Sequence, residues 1–345
     1  MRVLLIANPN STSQSAGLFR RIIPLLRSVE GLRLTGRFTH HSGHAEEICP
    51  GLTRDEGDLV VVVGGDGTVN EALNGMLGPV GEDTPEAADL PALAVIPTGS
   101  ANVFTRALGF PPDPVAATAM LASLIRADLR RTICLGTWNE RWFAVNAGFG
   151  MDADVVARVD EARTLGFAAT PLRYLGVCLL VWTRAQLRPP RIAVTATAPD
   201  GRTLSLQRVP LFVASNTNPW TFLGPLPVVT NPRNSFDRGL GLFGLTSLQG
   251  LRGAASMLHL IGFGHRTVIE DWIRGRTVQF DDAAEVLLEC PEPQPFQADG
   301  EYEGEFARAH LGSRRDVVEV YAPRQAYPVA SRTWRQVVRD VFRIH

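Results

Sequence analysis

Residues 58–77 read DLVVVVGGDGTVNEALNGML. Leu59 to Val63 form an unbroken apolar, β-branched run, bounded by Asp58 on one side and by Gly64 and Gly65 on the other. A run of this kind is a strand buried on both faces, as in parallel sheets. From Thr68 onward Val69, Ala72, Leu73, Met76 and Leu77 recur at helical spacing. The flanking sequence repeats the unit. VLLIA at 3–7 is a strand followed by helical GLFRRIIPLLRSV. LRLTGRFT at 32–39 is a strand followed by HAEEICPGL, a helix interrupted at Pro50. ALAVI at 92–96 is a strand followed by ANVFTRALG, a helix ending at Gly109. Strands alternating with helices predict an α/β domain over 1–135, a parallel sheet with helices on both faces.

From about residue 136 the pattern changes. FAVNAGFG, RIAVTATA, TLSLQ, VPLFVASN, LGLFGL, RTVQF, EVLLEC and VVEVYA are short strand candidates, interrupted by helical stretches at 171–186 and 249–260. They predict an antiparallel β domain over 136–325. The apolar stretch 171–186 suits an interface, such as that of a homodimer, as well as the wall of a ligand groove. The remaining segment, 326–345, contains a basic amphipathic helix over 331–345. Trp334, Val337, Val338, Val341 and Phe342 share one face, opposite Arg332, Arg335, Arg339 and Arg343, and Ser331 is a candidate N-cap. Such a helix either lies on an anionic membrane or docks its apolar face on the protein.

Composition removes whole classes of mechanism. The 345 residues suffice for about two domains and a core that needs no staples. The 34 basic and 35 acidic residues leave a net charge of −1, so no global basic field points to nucleic acid. All 34 basic residues are arginine. Without lysine there is no Walker-A lysine, no protein-kinase lysine and no Schiff-base chemistry. Cys49, Cys134, Cys178 and Cys290 lie far apart with no C-x-x-C spacing, which fits reduced thiols in a cytoplasmic protein. The N-terminal apolar run of five residues is short of a signal peptide's core of about seven or more. LGVCLLVW at 175–182 is well short of the ~20 residues that span a bilayer. The expectation is a cytoplasmic chain, soluble or peripheral to the inner face of a membrane.

The chemistry concentrates in three loops. GGDGT at 64–68 lets the backbone pass close to a ligand and opens a helix whose N-terminus favours phosphate. Thr68 adds a hydroxyl donor. Asp66 is an anion in this loop, which suits either a Mg²⁺-bound water or an N-cap. PTGSAN at 97–102 repeats the logic with Thr98, Gly99 and Ser100, and NPNS at 8–11 follows the first strand. Three such loops at three strand ends would line one crevice, where open α/β sheets bind ligands.

NPNS, GGDGTVNEALNG and IPTGSANVFTRALGFP, in this order, strongly resemble the diacylglycerol kinase catalytic family, which includes bacterial lipid kinases and sphingosine kinases. NAGFGMDADVV at 146–156 and FQADGE at 296–301 extend the resemblance, which ends near residue 322. It implies a nucleotide-binding α/β domain, a β-sandwich-like lipid domain and a cleft between them. It also implies ATP and Mg²⁺ as cofactors. The nucleotide residues are then Asn8, Ser11, Gly64, Gly65, Gly67, Thr68, Thr98, Gly99, Ser100 and Asn102. Asp66 would organise Mg²⁺ through water, and Glu301, beside Asp299, would be the general base of the DGE motif. Transfer to an alcohol needs an acceptor for the hydroxyl proton, which a carboxylate supplies.

Two positions depart from the family pattern. Val103 replaces the acidic residue of Asn-Asp-Phe. Asp237-Arg238-Gly239 replaces the Asp-Asp-Gly turn of a structural Mg²⁺ site, where Arg238 cannot ligate a cation; this leaves Asp237 a weak metal candidate. Other motifs carry rival readings. GFGMDA at 148–153 matches a dinucleotide-binding pattern, but its surroundings look antiparallel. His40, His41 and His44 form an HHxxH cluster that fits the start of the second helix better than a zinc site.

The resulting expectation is an ATP- and Mg²⁺-dependent kinase of a lipid hydroxyl: diacylglycerol, a sphingoid base or a relative. A NAD kinase shares GGDGT but is similar to Gly-Ser-Thr-Ala-Tyr where this chain has GSANVF. A nucleotide- or lipid-binding regulator without catalysis is the reading that Val103 and Arg238 favour.

Overall fold

The computed structural model describes residues 1–9, 11, 16–164, 171–223, 226–260, 272–273 and 275–324. The helix expected over 331–345 lies outside the described residues. The chain divides into two units. The first is Met1–Ala144 with the described part of Arg314–Pro328, and the second is Val145–Ser313.

In the first unit, β1 (Arg2–Ala7) lies between β2 (Arg33–Phe38) and β3 (Leu59–Gly64), and β3 pairs with β4 (Ala92–Pro97). All three pairings are parallel, as the alternation of strand and helix predicts. Every residue of β3 and β4 is buried. The edge strand β2 is largely exposed and carries Arg33 and Arg37, which discourage pairing with another chain. Helix α1 (Ala16–Arg27) packs with α5 (Pro114–Arg126), and α2 (His44–Ile48) packs with α3 (Asp66–Leu77). The short α4 (Val103–Ala107) follows β4. The sequence pattern had left α5 unmarked, although its start is signalled: Pro114 opens it, and the Asp113 side chain accepts the Ala116 N–H at 2.8 Å.

Strands β5 (Arg130–Trp138) and β6 (Arg141–Phe143) form an antiparallel hairpin. A Cβ on Gly136 would sit 2.1 Å from the Phe143 ring, so the hairpin closes only over a glycine.

The second unit is antiparallel. Strand order runs β14 (Thr277–Ala283), β13 (Leu240–Leu245), β10 (Leu211–Ser215), β7 (Asn146–Gly150), β15 (Glu285–Ala298). The far end of β15 pairs with β8 (Ile192–Thr197), which pairs with β9 (Thr203–Val209). A small hairpin, β11 (Thr221–Leu223) with β12 (Leu226–Val228), stands apart. Helices α6 (Met151–Thr164) and α7 (Pro171–Leu187) close one core, where Met151, Val155, Val181 and Ala185 meet Leu211, Val213 and Leu245. Helix α8 is Gly250–Leu260. Among the described residues no helix is long and apolar enough to cross a membrane.

The last strand, β16 (Glu301–Tyr321), contributes to both units. Its first part pairs antiparallel with β15 in the second unit. Its end belongs to the first, where Val320 pairs in parallel with Leu93 of β4 and β5 lies beside it. Glu319 forms ion pairs with Arg54 and, at 3.2 Å, with Arg130. The Tyr321 hydroxyl reaches Asp128 at 3.3 Å, and burial pushes that phenol up to about 12. VVEVYA reads locally as a strand, but only long-range pairing assigns it to a sheet.

Gly75 marks a close contact between two helices. A Cβ there would lie 2.4 Å from the Glu46 carbonyl oxygen and 2.8 Å from Cys49 Cβ, so α3 touches α2 backbone to backbone. Gly75→Ala is expected to lower the unfolding free energy by roughly 1–3 kcal/mol, the usual cost of overpacking. Urea unfolding measures it, and an unchanged midpoint would contradict this packing.

Candidate functional site

Parallel pairing brings three loops to one sheet edge. Ala7 pairs with Val63, Val63 with Ile96, and Gly64 with Pro97, so the segments after β1, β3 and β4 leave side by side. The ladder continues into the loops, with Asn8 N–H bonded to Val63 O at 3.1 Å and Thr98 N–H to Gly64 O at 3.0 Å. Side chains then stitch the loops together. Asn8 Nδ2 donates to Thr68 Oγ1 at 3.4 Å, and the Ser11 and Thr98 hydroxyls lie 2.8 Å apart. Thr68 and Thr98 are buried, so their hydroxyls serve the loops themselves.

The glycines answer to close approach. A Cβ on Gly99 would fall 2.6 Å from Gly65 Cα, and one on Gly64 would fall 2.8 Å from Thr68 Cβ. The two loops can touch only without side chains at these positions. Asn102 holds the second loop in shape. It sits at φ 48°, its Oδ1 accepts the Gly99 N–H at 2.8 Å, and its Nδ2 donates to Gly99 O at 2.7 Å. Ser100 is exposed at the tip, while Gly99 and Gly67 are partly exposed.

Asp66 ties the two glycine loops to one another. It does not cap its own helix: Gly65 is the N-cap of α3 and Asp66 its first residue. Its carboxylate reaches across to α4, where Oδ2 accepts the Val103 N–H and Oδ1 the Phe104 N–H, both at 2.9 Å. Desolvation raises its pKa, opposed by these two amides and by the Arg106 guanidinium. Each oxygen keeps a second lone pair and the residue is partly exposed, so the donor set fits a hydrated Mg²⁺ held through water. Val103 itself is buried; at this position the chain supplies an amide to Asp66 and an apolar side chain to the core.

In the second unit the DGE motif forms a two-residue hairpin. Ala298 pairs with Glu301, and Asp299 and Gly300 take φ 50° and 83°, the left-handed pair of a type I′ turn. Asp299 is buried. Its Oδ1 accepts the N–H groups of Val145 (2.7 Å) and Asn146 (3.1 Å), and its own N–H returns to Asn146 O at 2.8 Å. It anchors the turn to the start of β7. Glu301, next along, is exposed.

Three buried polar residues under the turn carried no role in the sequence reading. Gln297 Nε2 donates to Asn146 Oδ1 and to Asp152 Oδ2, both at 2.8 Å, and its Oε1 accepts the Gly300 N–H at 2.9 Å. A Cβ on Gly148 would overlap Asp152 Oδ2 at 1.8 Å, so that glycine makes room for the carboxylate. Burial raises the Asp152 carboxyl to about 6. The available signal was Asn and Gln inside otherwise apolar strands, where buried amides need partners.

The remaining candidates lie elsewhere. GFGMDA spans β7 and the start of α6, and β7 is antiparallel to both neighbours, so the βαβ context of a dinucleotide fingerprint is absent there. Asp237 is exposed, with its N–H on Ser235 Oγ at 3.3 Å. Among the described residues it belongs to no group of three ligating side chains. His41, His44 and Glu47 do form such a group, with ligand atoms within 4.8 Å of one another. His44 Nδ1 already accepts the His40 N–H at 3.0 Å, however, which leaves the proton of its neutral ring on Nε2 and no free lone pair for a metal. His44 opens α2, as expected, and Glu71 caps that helix by accepting the Gly43 and Ala45 N–H groups at 2.8 and 3.1 Å.

Residues 2–138 match the family model described as the diacylglycerol kinase catalytic domain. The chain is 26% identical over 328 residues to a diacylglycerol kinase of Staphylococcus carnosus, covering 94% of this chain and 95% of that one. It is 30% identical over 157 residues to a probable lipid kinase YegS-like protein of Xanthomonas oryzae, covering 46% and 48% of the two chains. The fold matches a solved diacylglycerol kinase structure from Bacillus anthracis with TM-score 0.65 at 20% identity, over 94% and 97% of the chains. Residues 2–138 thus belong to the diacylglycerol kinase catalytic-domain family.

Two outcomes check this site. Asp66→Ala removes both acceptors from α4, and each charge-assisted bond contributes about 1.5–3 kcal/mol. Hydrogen exchange at the Val103 and Phe104 amides is expected to accelerate more than tenfold, with Asp66→Asn intermediate; unchanged protection would contradict the bridge. Asp152 carries a pH signature. Its folded pKa, about 6 against an ordinary 3.8, means its contribution favours folding fully below pH 3.8 and is lost as pH rises through 6. Two units correspond to about 3 kcal/mol. Asp152→Asn should therefore gain thermal stability relative to the native protein between pH 4 and pH 7, and parallel melting curves would contradict this.

Proposed function

We propose that the protein is an ATP-dependent lipid kinase that transfers the γ-phosphoryl group to a lipid hydroxyl. The observation that carries the reading is the set of three strand-end loops, drawn together by Asp66 and the Gly65–Gly99 contact. Gly65 and Gly67 are partly exposed at the N-terminus of α3, where first-turn N–H groups suit phosphate, beside Asn8 and the tip residues Gly99 and Ser100, while the buried Gly64 and Thr68 shape the loop. Mg²⁺, when bound, neutralises charge on the phosphates, and Asp66 is the residue that would hold it through water. Glu301 accepts the proton of the attacking hydroxyl. Asp299 positions that turn by its bonds to Val145 and Asn146. Diacylglycerol is the acceptor that the similarity to the Staphylococcus carnosus enzyme favours.

Removing a general base usually costs 10²–10⁴ in rate. Glu301→Gln should lower kcat for lipid phosphorylation by about that factor while ATP affinity stays within twofold. ADP release in mixed micelles and equilibrium ATP binding measure the two. A Glu301→Gln variant of native turnover would remove Glu301 from the mechanism.

A further inference from the structure

The side-chain amide of Gln297 sits at the centre of a polar network inside the second unit. It is buried, as are Asn146 and Asp152 beside it. Nε2 spends one proton on Asn146 Oδ1 and the other on Asp152 Oδ2, each at 2.8 Å, and Oε1 accepts the Gly300 N–H at 2.9 Å. With Asp152 ionised, the network admits one orientation of this amide. Asn146 Nδ2 donates to Trp220 O at 3.1 Å, which turns Asn146 Oδ1 toward Gln297. Two acceptors therefore face the NH2 group, and the carbonyl is left for Gly300. A flipped amide would set oxygen against oxygen on one side and N–H against N–H on the other.

The constraint ends one residue from Glu301. Gly300 precedes it directly, at φ 83°, and takes its orientation from Gln297. Just past Glu301 the ladder shifts. Gln297 pairs with Tyr302 but Phe296 pairs with Gly304, so β16 carries one extra residue, Glu303. A bulge of this kind bends its strand and re-aims the side chains next to it. Glu301 thus stands between a turn fixed by Gln297 and a bulge. The titratable groups around the network are Asp152 on α6, Asp299 in the turn and Cys178 on α7. Burial, with the Asp152 charge, pushes that thiol up to about 12, so it stays neutral.

We propose that Gln297 is a positioning residue for Glu301: its single amide orientation, imposed by Asp152 and Asn146, fixes the Gly300 amide and with it the direction in which the Glu301 carboxylate leaves the turn. Gln297 itself meets neither nucleotide nor acceptor. The inference deepens the lipid-kinase reading and rests on Glu301 as its general base.

The test measures steady-state lipid phosphorylation by the full chain carrying Gln297→Met, which keeps the length and removes the bonds, or Gln297→Glu, which keeps the shape and puts oxygen in place of NH2. Thermal melting at each pH checks folding. A catalytic group displaced by about 1 Å loses up to ~10² in rate, so Gln297→Met should lower kcat roughly 10- to 100-fold, with KM for the lipid and ATP affinity within about twofold. Gln297→Glu carries a pH signature. Near pH 5 the introduced carboxyl and Asp152 share a proton, the bond between them persists, and kcat stays close to that of the native protein at the same pH. By pH 8 two carboxylates oppose each other, and kcat relative to native falls as far as in Gln297→Met. Adding Gln297→Met to Glu301→Gln should slow transfer no further than Glu301→Gln alone, because both changes act through one group. Native kcat in both folded variants overturns the proposal. So does a rise in KM alone, which makes Gln297 a binding residue, and so do multiplied losses in the double variant, which make it act apart from Glu301. If Gln297→Met fails to fold, a ratio to native that stays flat with pH in Gln297→Glu overturns it. Glu301→Gln with native turnover defeats the general-base reading and the positioning with it, whereas a slow Glu301→Gln beside a native Gln297→Met defeats the positioning alone.

Discussion

The bond between the Asp66 carboxylate and the amides of Val103 and Phe104 organises the first unit. One side chain at the end of β3 fixes the start of a helix that belongs to the next loop. Gly65 and Gly99 can then meet at van der Waals distance, and Asn102 locks the outer loop by folding its amide back on Gly99. Burial makes the charge on Asp66 unfavourable, and the two amides with Arg106 offset that cost. An anion in a phosphate loop is therefore a structural tie as well as a candidate holder of hydrated metal. Both roles fit one group because each carboxylate oxygen has two lone pairs.

The second unit uses the same device for the acid of its turn. Asp299 Oδ1 accepts two backbone amides, and Gln297 joins Gly300, Asn146 and Asp152 beneath it. This sets the exposed Glu301 at the head of β16 on a turn with little freedom to move. In each unit a carboxylate held by backbone amides positions the chain: the partly exposed Asp66 in the first and the buried Asp299 in the second.

Much of this was legible in the sequence. The apolar run of β3 and the glycines after it announced a parallel sheet with loops at one edge, because local periodicity and turn chemistry are short-range. The hidden parts depend on distant contacts. Val103 looked like a missing acid, but its amide proves to be what Asp66 holds. Asp299 looked like a partner of Glu301, but is a buried anchor. Gln297 and Asp152 are separated by 145 positions, and only the fold shows them hydrogen-bonded. The pattern of VVEVYA marks a strand without saying that it completes the first sheet. The start of α5 is written locally, in the Asp113 cap and Pro114.

The central claim is that the loops at the ends of β1, β3 and β4 present ATP for transfer to a lipid hydroxyl. The most direct measurement follows labelled γ-phosphate from ATP, with Mg²⁺, into a total lipid extract in mixed micelles and, in parallel, into NAD. The account predicts label in one lipid product, its absence with Asp66→Ala, and none in NADP. Labelled NADP, or bound ATP with no labelled product of any kind, would contradict it.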